Sequence, residues 1–238
     1  METRGRLGAT RGGTVDPELS VSSPRPGLVA RAGSERRKLL AHHTPAVSDP
    51  HDHLRDDPDL APLVEEHGEL AVEPDEDPFE RLVVSIVRQQ VSMDAAAAIE
   101  RRLFDAVEVT PRAMAAADDA VLRDAGLSTQ KVDYVRNVAE AFTERGYDHE
   151  YFRGLPDDAV HDELTSIAGV GPWTADMFLM LGLGREDVFP VGDLGIRRGM
   201  ELLFGEDTTR AEMRDIAEER WRPYRSYASL YVWQAYVG

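Results

Sequence analysis

Apolar residues recur at helical spacing along most of the chain after about residue 58. The first long stretch begins at Asp77, which can cap a helix that has Pro78 at its first position and Glu80 at its third, the pattern of a capping box. This spacing predicts an amphipathic helix with one buried face. The residues on that face are Phe79, Leu82, Val83, Ile86 and Val87.

The same periodicity, together with capping residues and glycines beyond helix ends, predicts further helices up to the C-terminus. No stretch alternates between apolar and polar residues for long enough to predict a sheet, and the apolar run Val188–Val191 is too short for one. The expected fold class is therefore all-α. The further helices are expected at about 94–107, 118–125, 128–145, 156–167, 172–182, 194–204, 208–220 and 224–236.

A glycine-rich turn separates the helix that ends near Ile167 from the one that begins at Pro172, in a hairpin spanning about residues 164–175. Amide groups in such a turn, and at the start of the second helix, have no helical partner and carry the positive end of the helix dipole. The turn therefore predicts an anion site, although spacing alone leaves a plain corner between two helices equally open. The residues expected to form the site are Gly169, Val170, Gly171 and Thr174.

One aspartate, Asp193, follows Trp173 by 20 positions and begins a predicted helix shortly after an apolar run. A carboxylate at a helix N-terminus keeps its negative charge. Such a charge can stabilise the positive charge that develops on a sugar when its glycosidic bond breaks. The alternative is that Asp193 only caps the helix, and the two roles are compatible.

These motifs together resemble the helix-hairpin-helix DNA glycosylase superfamily, in particular its DNA-3-methyladenine glycosylase II branch. The hairpin and the spacing to Asp193 carry the resemblance, which covers roughly residues 58–238. Three further segments support it: Asp77–Glu80 with Arg88–Ser92, Ala125–Ser128 with Gln130 and Lys131, and Trp221–Ala228 with Trp233.

The resemblance implies a fold of two helical subdomains with the active site in the cleft between them. It implies an enzyme that binds double-stranded DNA, flips out an alkylated purine of the 3-methyladenine or 7-methylguanine type and hydrolyses its bond to the sugar. The product would be an abasic site, the first intermediate of base excision repair. Asp193 would be the catalytic carboxylate.

Other site residues follow from the resemblance in the same way. Trp173, Met177 and Trp233 would line the base pocket, and Gln90 would wedge into the gap that the flipped base leaves. Met177 stands where some relatives have a tyrosine, and Gln90 stands where many have an apolar wedge. Trp173 stands where bifunctional relatives have an attacking lysine, so water is the expected nucleophile and the enzyme is expected to be monofunctional.

The resemblance also implies a bound K⁺ or Na⁺ ion in the hairpin, held by the backbone carbonyls of Thr165, Ile167 and Gly169. No other cofactor is expected. The chain contains no cysteine, which excludes a cysteine-ligated iron–sulfur cluster and disulfides.

The charge opposes a DNA-binding function, because DNA-binding proteins usually carry a basic surface. The chain has 44 acidic and 27 basic residues, and its only lysines are Lys38 and Lys131. This composition favours a halophilic cytosol, where salt screens repulsion between carboxylates, although an ordinary acidic protein remains open. Uncharged donors in the hairpin would reconcile the acidity with DNA binding.

Three alternative functions remain open from the sequence. The first is a glycosylase for another lesion, such as hypoxanthine, uracil or a mispaired thymine. The second is a DNA-binding module without catalysis, against which Asp193 and the pocket aromatics argue. The third is an acidic helical interaction protein that does not touch nucleic acid, against which the hairpin argues.

The first 46 residues differ from the rest in composition. They are rich in glycine, proline, serine and arginine and carry a net charge of +4, whereas the remainder carries −21. We expect a disordered basic tail that helps to hold DNA, or an upstream translation artefact, preceding a glycosylase domain over 47–238. The histidines near this border favour a solvated polar segment over a metal site; they are His42, His43, His51 and His53.

No apolar run of the chain is long enough to predict a membrane span or a signal peptide. We therefore expect a cytoplasmic, nucleoid-associated protein that is not secreted. The predicted helices leave no spare apolar stripe, so we expect a monomer.

Overall fold

The computed structural model describes residues 49–238, and the predictions for residues 1–46, with His42 and His43, lie outside them. The described chain is all-helical, as predicted, and contains no strand. Its α-helices are α1 (Pro50–Arg55), α2 (Ala61–His67), α3 (Pro78–Arg88), α4 (Met93–Ala106), α5 (Pro111–Ala116), α6 (Asp119–Asp124), α7 (Thr129–Arg145), α8 (His149–Arg153), α9 (Asp157–Thr165), α10 (Pro172–Met177), α11 (Leu194–Phe204), α12 (Arg210–Arg220) and α13 (Arg225–Val237).

The middle of the chain, from α3 to the segment after α10, packs around a large apolar core. Its centre is the buried face of α3 that the periodicity predicts, packed against α7. Aromatic rings contact one another through this core: Phe79 and Phe142, and Phe142 and Tyr147, meet edge to face, and Tyr147 meets Phe152 at a tilted angle. Burial of these rings gives the first subdomain its own hydrophobic stabilisation.

A second core joins the two ends of the described chain. Helices α1 and α2 pack against α13, whose partner across the core is α11. Polar groups also bridge the ends, since Trp221 donates from Nε1 to Asp57 Oδ2 at 3.0 Å and Tyr231 donates its hydroxyl to the carbonyl of Gly68 at 2.7 Å. The expected architecture of two helical subdomains is thus present, and the second is built from residues far apart in sequence.

Helix α11 approaches α13 unusually closely because of Gly199. A Cβ atom at this position would lie 2.0 Å from the backbone carbonyl oxygen of Val232. Only a glycine leaves room for this approach of two backbones. The close contact fixes α11, and hence the aspartate at its start, against α13.

The structure adds helices that the periodicity did not reveal. The short helices α5 and α8 are capped by the side chains of Thr110 and Asp148, which accept from Ala113 N at 3.2 Å and Tyr151 N at 2.7 Å. Asp77 caps α3 as predicted. The reciprocal capping box, however, is formed at Thr209 with Glu212, at the start of α12.

The predicted solvated segment is wrong for the two described histidines, both of which lie on α1. His51 is buried, and its Nε2 lies 3.0 Å from the carbonyl oxygen of Leu70. His53 places Nε2 3.2 Å from the carbonyl oxygen of Arg220. Both side chains join α1 to other parts of the second subdomain.

The predicted helix over 172–182 changes its geometry halfway. It is α-helical to Met177 and then forms a π-helical turn over Phe178–Gly182, closed by a bond of 2.9 Å from Leu183 N to the carbonyl of Phe178. A π-helical turn shifts the faces that side chains occupy.

Within the described part of the chain, no helix combines the length and apolar character that a membrane crossing needs.

Candidate active site

Asp193 is the N-cap of α11, at the junction of the two subdomains. Its Oδ1 accepts a hydrogen bond of 3.1 Å from the amide of Ile196, so the residue does cap the helix. Its Oδ2 accepts a second hydrogen bond of 3.0 Å from Nε1 of Trp173. The carboxylate is thereby held in one orientation by a donor from each of two different helices.

Arg197 fixes the loop that carries Asp193. One guanidinium nitrogen, Nη1, donates to the carbonyl oxygens of Gly192 and Asp193, the latter at 3.1 Å, and approaches that of Val191. These carbonyls precede and begin α11, where the chain turns sharply. Sequence reasoning missed Arg197, although a basic residue one turn after a predicted N-cap was a signal that could have indicated it.

A small apolar cavity lies beside Asp193, between the two cores. Its walls come from α10 and the π-helical turn on one side and from α11 and α13 on the other. It measures only about 10 Å³, enough for roughly one water molecule. The lining residues are Met177, Met180, Leu181, Pro190, Asp193, Ile196, Ser229 and Trp233.

The structure brings together Met177, Trp233 and Asp193 of the predicted site in the wall of this cavity. Trp173 does not line the cavity but lies against its rim, beside Gly192 and bonded to Asp193. The indole of Trp233 lies over Gly195, where a Cβ atom would be 2.3 Å from Nε1 of the ring. Gly195 was not predicted, yet its missing side chain is what lets Trp233 reach the cavity.

The hairpin between α9 and α10 has the predicted form. Gly169 adopts φ +103°, and a Cβ atom there would lie 2.2 Å from Cγ of Tyr134, so the position requires glycine on both counts. Asn137 of the same helix, α7, donates from Nδ2 to the carbonyl of Ala168 at 3.0 Å. Helix α7 thus supports the hairpin, a contact that the sequence did not reveal.

Some backbone amide groups at the start of α10 have no hydrogen-bond acceptor. Among the described residues, no acceptor is bonded to the backbone N–H of Gly171, Trp173 or Thr174, whereas Ala175 N already bonds to the carbonyl of Gly171 at 3.0 Å. Thr174, which was predicted to be part of the anion site, is only 1% exposed, so its amide is not open to a ligand. The N–H groups of Gly171 and Trp173, both partly exposed, and the helix dipole make the turn suitable for an anion.

The three carbonyls expected to hold a monovalent cation are in the same turn. The carbonyl oxygen of Ile167 accepts from Val170 N at 3.0 Å, and that of Gly169 accepts from Gln89 Nε2 at 3.0 Å. Thr165 is the last residue of α9, where carbonyls lose their helical partners. Each carbonyl oxygen retains a lone pair, which is the kind of donor that a monovalent cation binds.

Gln90 lies in the turn between α3 and α4, where its backbone φ is +56°. This turn contacts the hairpin through Gln89, so the predicted wedge and the predicted anion site are neighbours.

Within residues 49–238, no cluster of three or more histidine, aspartate or glutamate side chains is placed to hold a metal ion.

A chain of two helical subdomains, with an outward-facing hairpin and a fixed carboxylate in the cleft, defines a class of helix-hairpin-helix protein. Residues 83–223 match the model of the HhH-GPD superfamily of base excision DNA repair proteins. The match covers more than half of the chain, and the chain belongs to this family.

Individual relatives agree with this assignment. The Bacillus subtilis protein YfjP is 28% identical over 186 residues, covering 74% of this chain and 65% of YfjP. DNA-3-methyladenine glycosylase 1 of Schizosaccharomyces pombe is 32% identical over 166 residues, covering 66% of this chain and 72% of that protein. This chain therefore spans about two thirds of the length of these relatives.

A solved structure shows the same fold. The Schizosaccharomyces pombe 3-methyladenine DNA glycosylase Mag1, in complex with abasic DNA, superimposes with a TM-score of 0.71 at 29% identity. The superposition covers 78% of this chain and 95% of Mag1. The expected fold and the suspected family are both confirmed.

Proposed function

We propose that this chain is a monofunctional DNA glycosylase that removes alkylated purines from double-stranded DNA in base excision repair. Relatives named as DNA-3-methyladenine glycosylases support the reaction and the class of base. The observation that carries the proposal is the Asp193 carboxylate, held by two hydrogen bonds at an apolar cavity between the subdomains. No cofactor is required, and a K⁺ or Na⁺ ion on the hairpin carbonyls would assist phosphate binding.

The DNA is bound at the hairpin. The amides of Gly171 and Trp173 donate to a backbone phosphate, which needs no lysine or arginine side chain. The target nucleotide leaves the base stack, because its bond to the sugar cannot be reached inside the duplex. Gln90 fills the space left behind and keeps the nucleotide outside.

The flipped base enters the cleft beside Met177 and Trp233. The cavity is far smaller than a purine, so base entry requires these side chains to move apart, and the unbranched Met177 adapts readily. An alkylated purine is electron-poor, and the face of Trp233 attracts it by stacking and cation–π interaction.

Asp193 acts on the sugar. As the bond to the base breaks, positive charge develops on the sugar ring, and the nearby carboxylate stabilises it. The carboxylate also orients the water that attacks the sugar and accepts its proton. Trp173 offers no amine, so no Schiff base forms and the product is an intact strand with an abasic site.

Base release from methylated duplex DNA tests the proposal, with Asp193→Asn as the decisive variant. Asparagine retains one oxygen that can cap α11, so the fold is kept, while the charge and the acceptor for Trp173 Nε1 are lost. Asp207→Asn, an exposed aspartate beyond the other end of α11, is the matched control. Molar KCl is the appropriate medium, since the composition predicts a halophilic cytosol.

We expect the wild type and Asp207→Asn to free methylated purines and leave uncut abasic sites, and Asp193→Asn to release them at least about 100-fold more slowly. Release by Asp193→Asn at the wild-type rate would remove Asp193 from the chemistry. If DNA is bound but the wild type frees no alkylated base, the function is another lesion or binding alone, and a panel of damaged bases separates the two.

A further inference from the structure

The turn that carries Gln90 is held in an uncommon backbone conformation. Gln90 has φ +56° and, within residues 49–238, is the only residue other than glycine with a positive φ. A residue with a side chain rarely adopts this region unless its surroundings impose it. The neighbours of the turn must therefore supply contacts that hold it.

Lys131, on α7, is one source of these contacts. Its Nζ donates to the carbonyl oxygens of Val87 and Gln89, at 2.7 Å each. These carbonyls belong to the end of α3 and to the following cap residue, where helical partners are missing. The positive charge also lies at the negative end of the α3 dipole, which strengthens the interaction.

The side chain of Gln89 connects the same turn to the hairpin. Its Nε2 donates to the carbonyl oxygen of Gly169 and to Oγ1 of Thr174, at 3.0 Å each. Both hydrogens of the amide are thus used. Thr174 is only 1% exposed, so this end of the bridge is anchored in the rigid first turn of α10.

We propose that Gln89 and Lys131 are positioning residues, which set the distance and orientation of the Gln90 wedge relative to the phosphate-binding hairpin. The inference rests on the proposed function and adds to it the way in which two DNA contacts are kept in register. A wedge enters the duplex usefully only if the phosphate beside the flipped nucleotide is held at a fixed distance from it. Gln89 and Lys131 touch neither the base nor the sugar and act through Gln90.

Losing these contacts should affect some DNA substrates more than others. Extruding a base costs least when the base is already unpaired, so a correctly placed wedge matters most for a lesion that is paired. Loss of the bridge should therefore slow release of a paired lesion more than release of the same lesion opposite a missing base. General damage to the fold or to Asp193 would slow both equally.

The experiment compares single-turnover base release from these two duplexes. Gln89→Met keeps the length of the side chain and removes its donors, and Lys131→Met does the same for the second contact. Gln234→Met on α13 is the matched control. We expect Gln89→Met and Lys131→Met to lose roughly 10- to 100-fold on the paired lesion and less than about 3-fold on the unpaired one.

A second readout does not depend on catalysis. In the Asp193→Asn background, binding to a duplex with 2-aminopurine beside the lesion should raise the fluorescence, because the wedge unstacks that base. Adding Gln89→Met should abolish the rise, and adding Gln234→Met should not. Adding Gln90→Ala to Gln89→Met should reduce the rate of base release from the paired lesion little further, since both residues act through one contact.

The outcomes separate this inference from the proposed function. Equal losses on both duplexes, or a fluorescence rise that Gln89→Met leaves intact, would overturn the positioning role while the glycosylase assignment stands. A wild type that frees no base but shows the Gln89-dependent rise would keep the positioning role and overturn the assignment of the lesion. A wild type with neither signal overturns both.

Discussion

A single methyl group added at Gly195 should disturb the cavity without disturbing the fold. In Gly195→Ala, the new Cβ would lie 2.3 Å from Nε1 and 2.4 Å from Cδ1 of Trp233, where ordinary contacts begin at 3.4 Å. The indole must therefore move by at least about 1 Å. Trp233 is only partly buried, so it can swing toward the open side of the cleft.

Two magnitudes follow for Gly195→Ala. Overpacking in a rigid core costs about 1–3 kcal/mol, and here the freedom of Trp233 keeps the cost near the lower end. Alanine also favours the first turn of α11 by up to about 1 kcal/mol over glycine, which offsets part of it. By contrast, a shift of about 1 Å in a group that positions the substrate can slow the chemical step roughly 100-fold.

The assay pairs thermal unfolding with single-turnover release of a methylated purine. Gly154→Ala is the control, because Gly154 has φ −87° and no atom within 4 Å of the added Cβ. We expect Gly195→Ala to unfold within a few degrees of the wild type yet release base about 100 times more slowly. Wild-type release by a folded Gly195→Ala would show that the position of Trp233 against Gly195 is irrelevant to base binding.

Three further predictions concern the hydrogen bond, the helix contact and the pH dependence. Trp173→Phe keeps an aromatic ring but removes the donor to Asp193, and should slow base release about tenfold, measured at saturating enzyme; an unchanged rate would show that the bond has no role in catalysis. Gly199→Ala places a Cβ atom 2.0 Å from the Val232 carbonyl oxygen and should destabilise the protein by about 3 kcal/mol or more in denaturant unfolding. A much smaller loss of stability would show that α11 and α13 can separate freely. Burial raises the pKa of the Asp176 carboxyl from 3.8 to about 6, so the folded state prefers its protonated form and loses stability as the pH rises through this range. Asp176→Asn should therefore raise the free energy of unfolding by up to about 3 kcal/mol above pH 6 and change it little below pH 4, and a difference that does not vary with pH would contradict the assignment.

The acidity of the chain is compatible with a DNA-binding site built from uncharged donors. In the proposed function, amides at the start of α10 bind the phosphate, and the α7 residues that support the hairpin, Tyr134 and Asn137, are neutral as well. Lys131 carries charge near the proposed DNA contacts, but its ammonium group is bonded to protein carbonyls. The halophilic cytosol stays a prediction, and the salt dependence of base release bears on it directly.

Features that are local in the chain could be predicted from the sequence. Periodicity and caps located the long helices, since apolar spacing and a capping side chain act within one or two turns. The glycine turn located the hairpin for the same reason. The capping residue Asp193 was also readable, because its role as an N-cap depends only on the residues that follow it.

The sequence also contains local signals for two of the short helices. Thr110 and Asp148 cap the short helices α5 and α8, and both residue types are common N-caps. These helices are too short to show a period, which is why periodicity alone missed them. The π-helical turn after Met177 has no such signal, since it depends on how the surrounding core packs.

The contacts that form the site arise from packing between distant segments and could not be predicted from local patterns. Trp173 and Asp193 are 20 residues apart, and Gln89 and Gly169 are 80 apart, yet each pair is joined by one hydrogen bond. The same holds for the second core, in which the first and last described helices meet. Such contacts depend on packing between elements distant in the chain, and no local pattern of residues encodes which of many possible partners will meet.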